Sequence, residues 1–488
     1  MIERIGELFN RLAARFMPHP FVFAILLTIF AFALGWLWAG ASPAALVGHW
    51  ADGVFTPALL TFMVQMCLIL VTGHALASTR PVGAALARIA SLPRGPRSAV
   101  AITSLVTMAT ALVNWGLALI VGALLAREVA RSARVRGIAI HFPLVVAAGF
   151  TGLIIWHGGL SGSAPLTVAT PGHFLETQIG LVPVTATLLS PLNLVLRAAL
   201  LAAVPLFLAL MVPRDFAARA ASGGGGGGER VRWTTGDVAL ERIARAAEDG
   251  LPPAITPSAA SRGERTREAS APPLAERLDR SRALALAIVA LCAAFVAARF
   301  AERGIAALEL NTIIVAFLAL GLALHGTPIR YARAIDDAAA GASGILLQFP
   351  LYFGIMGIVK GAGLTAPLAG LFVRASDALS GAGVPVDASY GVMTFLSATV
   401  INVLVPSGGG QWAVQGPIAV EAAERLGVPA SRAVLAIAYG DECSNMLQPF
   451  WALPLLAITG LSARDIFGYT ALLMFLVAPI FIALLAVM

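Results

Sequence analysis

The sequence predicts an all-α polytopic membrane protein made of two inverted-topology repeats, each with a re-entrant hairpin and a broken transmembrane helix. Three observations lead there. Hydrophobic residues make up 58% of the 488-residue chain and charged residues 12%, with a mean hydropathy of +0.85, too little polar surface to cover a soluble globule of this length. Apolar runs long enough for a helix to cross a bilayer core of about 30 Å recur near 21–40, 54–78, 139–160, 192–212, 283–299, 309–325, 343–364, 433–457 and 466–487. Two further stretches, 98–126 and 391–420, carry no charge at all yet hold an asparagine and glycines at their centres. The count is therefore about nine full spans plus two hairpins.

Residues 1–18 read as an interfacial amphipathic helix, with Ile2, Ile5, Leu8, Phe9, Leu12 and Phe16 set against Arg4, Arg11 and Arg15, a pattern suited to an anionic leaflet. The apolar run behind it is too long and wrongly flanked for a cleaved signal peptide. The first membrane repeat occupies 19–213. Its arginines orient it: Arg4, Arg11 and Arg15 inside, 41–53 without Lys or Arg outside, and Arg80, Arg88, Arg94 and Arg97 inside again, which makes the N-terminus cytoplasmic. The 98–126 stretch is followed by Arg127, Arg131, Arg134 and Arg136, so both its ends carry cytoplasmic-type charge. A hairpin that enters and leaves by one face satisfies that constraint. As a single helix its 29 residues would run about 44 Å, long for one crossing and right for two half-depth arms meeting near Asn114. A broken helix at 139–166 follows, interrupted at "WHGGLSGSAPL" (156–166).

Residues 214–282 differ in kind, with 12 arginines, 10 acidic residues and six consecutive glycines; they read as a disordered linker in the cytoplasm. A connecting transmembrane helix at 283–300 supplies the extra crossing that inverts the second repeat, 301–488. There "ATVIN" (398–402) matches "ATALVN" (109–114), placing Asn402 and Asn114 288 residues apart. The 391–420 hairpin is flanked by Asp387, Glu421 and Glu424, as for entry from outside, and a second broken helix spans 433–457 with its break at "GDECSNMLQP" (440–449). Backbone freed at membrane depth must be satisfied by protein, ligand or ion, since lipid offers no partner.

Paired, interrupted apolar segments at corresponding places in two halves point to the binding site of a secondary transporter. The substrate lining expected from them comprises Asn114, Ser161, Ser163, Asn402, Ser407, Gly408, Gly409, Gln411, Ser444 and Asn445. "PSGGGQW" (406–412) offers unhindered N–H groups at a half-helix start, a way to hold an anion without a cationic side chain, and none of the four broken segments contains Lys or Arg. Asp441 and Glu442, adjacent carboxylates in an apolar run, together with His157, Asn114 and Asn402, are the expected handlers of a coupling Na⁺ or H⁺. Arg197 and Lys360 are expected to snorkel from the ends of their spans.

Other chemistries are excluded or weak. Cys67, Cys292 and Cys443 lack paired or metal-ligand spacing, no phosphate-cradling P-loop string exists, and most of the basic charge lies between apolar runs rather than in a nucleic-acid patch. No cofactor is expected and no metal beyond Na⁺. Gly159–Gly162 and Gly341–Gly344 match the G-x-S-G of rhomboid-type intramembrane serine proteases, with His325 as the conceivable base for Ser161 or Ser343, but a nucleophile needs that histidine within hydrogen-bond reach. A sodium/proton antiporter or a dicarboxylate carrier of the same fold is the nearer alternative.

"FMPHPFVFAILLT" (16–28), "NWGLALIVGALL" (114–125), "HGGLSGSAPL" (157–166), "VPSGGGQWAVQGP" (405–417) and "GDECSNMLQPFWALP" (440–454) resemble the short-chain fatty acid transporter (AtoE-type) family. The resemblance implies uptake of small monocarboxylates such as butyrate or acetoacetate across a bacterial cytoplasmic (inner) membrane. It also looks like the wider ion-transporter group with paired re-entrant hairpins, and this likeness implies a homodimer and an elevator motion.

Overall fold

The computed structural model describes residues 2–16, 18–213, 274–307, 310–339 and 342–487. Helices α1 (Ile2–Phe16), α2 (Pro20–Leu37), α3 (Pro43–Val54), α4 (Pro57–Ala77) and α5 (Arg80–Ala90) lead into a hairpin of α6 (Pro96–Val113) and α7 (Trp115–Val135). An interrupted helix follows, formed by α8 (Phe142–Phe150), two tight turns (Thr151–Ile154 and Trp156–Gly158) and α9 (Ser163–Val168). Then come α10 (Glu176–Ile179), α11 (Pro191–Met211), α12 (Leu274–Asp279) and α13 (Arg282–Arg303). The order now repeats, with α14 (Leu310–His325), α15 (Pro328–Ala339), α16 (Ser343–Gly361), α17 (Thr365–Gly381) and a second hairpin of α18 (Val386–Leu404) and α19 (Gly408–Leu426). A second interrupted helix, α20 (Ala430–Ser444), a turn (Asn445–Leu447) and α21 (Pro449–Thr459), precedes α22 (Ala463–Val487). No strand occurs among the described residues.

Local chemistry sets many of these boundaries. Proline opens α2, α3, α4, α6, α11 and α21, where its missing N–H removes no hydrogen bond, and Ser42 and Ser190 cap α3 and α11 by accepting from Ala45 and Asn193 N–H. Nine segments among the described residues are long and apolar enough to cross a membrane. Their membership departs from the sequence expectation: α6 and α18, first arms of the hairpins, qualify, whereas α14 and α21 are shorter apolar helices. Four amphipathic or mixed helices, α3, α5, α15 and α17, were not expected, because hydropathy alone reads such segments as loops. The expected 214–282 linker is also shortened: 214–273 lie outside the described residues, 274–279 form α12 and Arg282 opens α13. The N-terminal α1 packs one face on α22, with Phe9 against Phe475.

Both hairpins are antiparallel. Tyr390 Oη donates to the carbonyl of Ala419 and Gln411 Nε2 to that of Ala398, contacts centred on the turn between α18 and α19; in the first hairpin the space at Gly122 is closed by Thr107 and that at Gly152 by both Ala111 and Ala118. Close approach by small residues welds each hairpin to its interrupted helix, as expected where lipid gives no hydrophobic drive: a Cβ on Gly122 would overlap Gly149 O, and one on Gly149 would lie 2.6 Å from Gly122 O. The two halves also exchange partners, since α2 and α3 pack on α16 while α14 and α15 pack on α4.

Candidate functional site

At the first tip Asn114 breaks the hairpin in an extended conformation and caps α7, its Oδ1 accepting from Leu117 N–H at 3.0 Å. Asparagine suits this position because its short amide satisfies one of the N–H groups orphaned at a helix start. The tip grips the break in the first interrupted helix: Trp115 N–H donates to Ser161 Oγ at 3.1 Å, and Leu160 N–H to Leu112 O at 2.7 Å. Ser163 opens α9, half-buried, with its carbonyl accepting from Thr167 Oγ1.

The second tip closes on the same break from the other half. Ser407 caps α19 by accepting from Gly410 N–H at 3.2 Å. A Cβ on Gly408 would lie 2.6 Å from His157 Nε2, so only glycine fits there, whereas Gly409 faces open space. Asn402, buried in the last turn of α18, shares its Nδ2 among Asp441 O (3.0 Å), Ser444 Oγ (2.9 Å) and Asn445 Oδ1 (3.0 Å), and its carbonyl accepts from Gln448 Nε2 at 2.7 Å. That clasp satisfies the backbone and side chains freed where α20 breaks. Gln411, by contrast, braces the hairpin arms through Ala398 O and Gln415 Oε1 and forms no hydrogen bond with the clasp.

Between the tips lies a buried charged network joining the two halves. His157 Nε2 sits 2.9 Å from Asp441 Oδ1, with side chains 1% and 2% exposed, and Asn445 Nδ2 donates to the same oxygen at 3.1 Å. Glu442 Oε2 accepts from His157 N–H at 3.1 Å. Its Oε1 stands 2.6 Å from Arg197 Nη2, an ion pair by distance although not aligned as a hydrogen bond. Arg197 Nη1 donates to Ile155 O at 2.8 Å, and the guanidinium lies 5.0 Å from the Tyr439 ring centroid. Tyr439 Oη in turn donates to Asn193 Oδ1, whose Nδ2 reaches Gly158 O and Leu188 O. Isolated charges this deep would be costly, and pairing with hydrogen bonding to neighbouring groups offsets the cost.

Arg197 corrects the sequence expectation. It does not snorkel; it is 5% exposed, two turns into α11, because α11 starts inside the protein and Glu442 stands opposite. A guanidinium therefore does reach the site, carried by an element outside the four broken segments. Lys360, in the last turn of α16, is exposed. Asn193, Tyr439 and Gln448 were also missed. The readable signal was an arginine and a glutamate each inside an apolar run, which demands a mate. The protease pairing of His325 with Ser161 is not formed: His325 Nε2 turns to Ala75 O at 2.9 Å, while Ser161 Oγ accepts from Trp115 N–H.

Residues 1–221 and 254–488 match the family model described as Short chain fatty acid transporter. A protein of Escherichia coli (strain K12), provisionally named a short-chain fatty acid transporter, is 39% identical over 97% of this chain and 97% of its own. One of the same provisional name from Haemophilus influenzae (strain ATCC 51907 / DSM 11121 / KW20 / Rd) is 33% identical over 99% of each. Among solved structures, the YdaH transporter of Alcanivorax borkumensis aligns over 96% of both chains at 14% identity and a TM-score of 0.41.

Proposed function

The chain belongs to the short chain fatty acid transporter family, and from that premise we propose that it carries small monocarboxylates such as butyrate or acetoacetate across the bacterial inner membrane in symport with a cation. The observation that carries this reading is the doubly paired network His157–Asp441 and Arg197–Glu442, buried where two hairpin tips and two interrupted helices meet. Intramembrane ionisable groups mark ion and substrate pathways.

The substrate carboxylate is held at the start of α19, where the N–H groups of Gly408 and Gly409 have no carbonyl a turn earlier and the helix dipole favours negative charge. The open space at Gly409 admits it, and Ser407, Ser161, Ser163 and Asn114 supply the remaining polar lining. Arg197 is engaged by Glu442, so it balances the protein's own charge and leaves the site selective for one anion at a time; a dicarboxylate would want a second anion feature. Asp441 Oδ2 and Asn402 Oδ1 are buried acceptors without a donor, the kind of oxygen that a proton or Na⁺ satisfies, and His157 relays between them and the second tip.

The reciprocal packing of α2 and α3 on α16 and of α14 and α15 on α4 supports inverted repeats. The charge-free part of α7, residues 115–126, extends about 18 Å, which supports a hairpin that dips part-way into the bilayer. We place the N-terminus in the cytoplasm and assign alternating access to an elevator motion of hairpins and interrupted helices in a homodimer. Proteoliposomes given labelled butyrate under a Na⁺ gradient and, separately, a pH gradient test the reading. Accumulation driven by one gradient is expected; Na⁺/H⁺ exchange that ignores butyrate would assign an antiporter instead.

A further inference from the structure

A second constellation stands apart from this network and does not depend on the transport reading. A cavity of about 720 Å³ opens between the C-terminal ends of α4 and α14, helices α5 and α15, and the charged end of α7. Arg80, Arg127, Arg131, Arg330 and Arg333 line it against two carboxylates, Glu128 and Asp337, leaving three positive charges unbalanced. Glu128 is taken by Arg131 at 3.6 Å. Among the described residues the other four arginines have no carboxylate within ion-pair distance.

We propose that this cavity binds a multiply charged phosphate anion. Its volume falls in the range of about 300–1,000 Å³ that accommodates ligands far larger than a four-carbon acid, and a monocarboxylate would neutralise only one of the three surplus charges. The rule that favours arginine on one membrane face accounts for charge there but not for its convergence from three helices on one cavity. Nor does the fold require it, because α3, which holds the place of α15 in the first half, contains neither Lys nor Arg. Leu320 and Leu324, 52% and 44% exposed, sit on α14 within five residues of the lining His325, so a phosphate headgroup seated among the arginines would have an apolar helix surface close by for its acyl chains. Basic pockets between transmembrane helices hold diphosphatidylglycerol-type headgroups in this way.

The test uses the purified full-length protein and native mass spectrometry with added cardiolipin, phosphatidylcholine or inorganic pyrophosphate. Cardiolipin is expected to bind in preference to phosphatidylcholine. Each arginine near an anionic headgroup counts for about a fivefold change, so the R330Q/R333Q double variant should bind it roughly twenty-five-fold more weakly, while R88Q, outside the cavity, binds as the parent does. Pyrophosphate that binds alone, with cardiolipin and phosphatidylcholine equal, assigns the site to a soluble phosphate. Arg127→Gln repeats the test should the double variant lose its monodisperse profile. Equal retention of all three probes in parent and variants, or equal loss in R88Q, overturns the proposal.

Discussion

Replacing Arg197 with methionine removes the cation that faces Glu442 and keeps an apolar stem of similar length. Glu442 would then hold a carboxylate that is fully buried, with only His157 N–H as donor, and Ile155 O would lose the Nη1 bond of 2.8 Å. Breaking one side of a buried ion pair costs about 3–5 kcal/mol, roughly two to three and a half powers of ten in the folded-to-unfolded ratio. Neutralising both sides is different, since replacing a buried pair by uncharged groups is often close to neutral. The R197M/E442Q double variant should therefore regain most of the stability, because the amide oxygen introduced in place of the carboxylate still accepts from His157 N–H. Denaturant titration in mixed micelles measures this cycle, and butyrate uptake in proteoliposomes reads the second consequence: folding returns in the double variant and uptake does not. A single variant within about 1 kcal/mol of the parent, or a double variant as unstable as the single, would refute the assignment of Arg197 as the internal counter-ion of Glu442.

Three further outcomes follow from the site. Gly408→Ala forces a methyl onto His157 and should cost about 1–3 kcal/mol with loss of uptake, whereas Gly409→Ala meets open space and should keep parental thermal stability while raising the KM for butyrate; identical behaviour of the two in a paired melting and uptake series contradicts the geometry. Asn402→Ala unmakes the clasp on Asp441, Ser444 and Asn445 and should lower stability by about 1–3 kcal/mol and abolish uptake in protein that still inserts; normal uptake removes Asn402 from the site. Asp441→Asn leaves His157 a neutral partner and should suppress gradient-driven accumulation more than butyrate exchange at equal concentrations; equal loss of both modes would count against a coupling role.

Hydropathy determined the membrane class, the two-half organisation and the broken helices, because lipid tests each segment on its own: length, absence of charge and backbone satisfaction are local demands. For the same reason the asparagines, the glycine run and the Asp441–Glu442 pair stood out as residues that lipid would not tolerate without a purpose. The amphipathic helices α3, α5, α15 and α17 escaped, since their apolar faces are answered by other helices and not by their own sequence neighbours. Tertiary structure alone decided how the charges are matched. His157 meets Asp441 across 284 residues, and Arg197 of α11 meets Glu442 of α20; such partners share no periodicity or spacing that a linear reading detects. Only the packing of one half against the other brings them within bonding distance, and burial then makes each pairing obligatory.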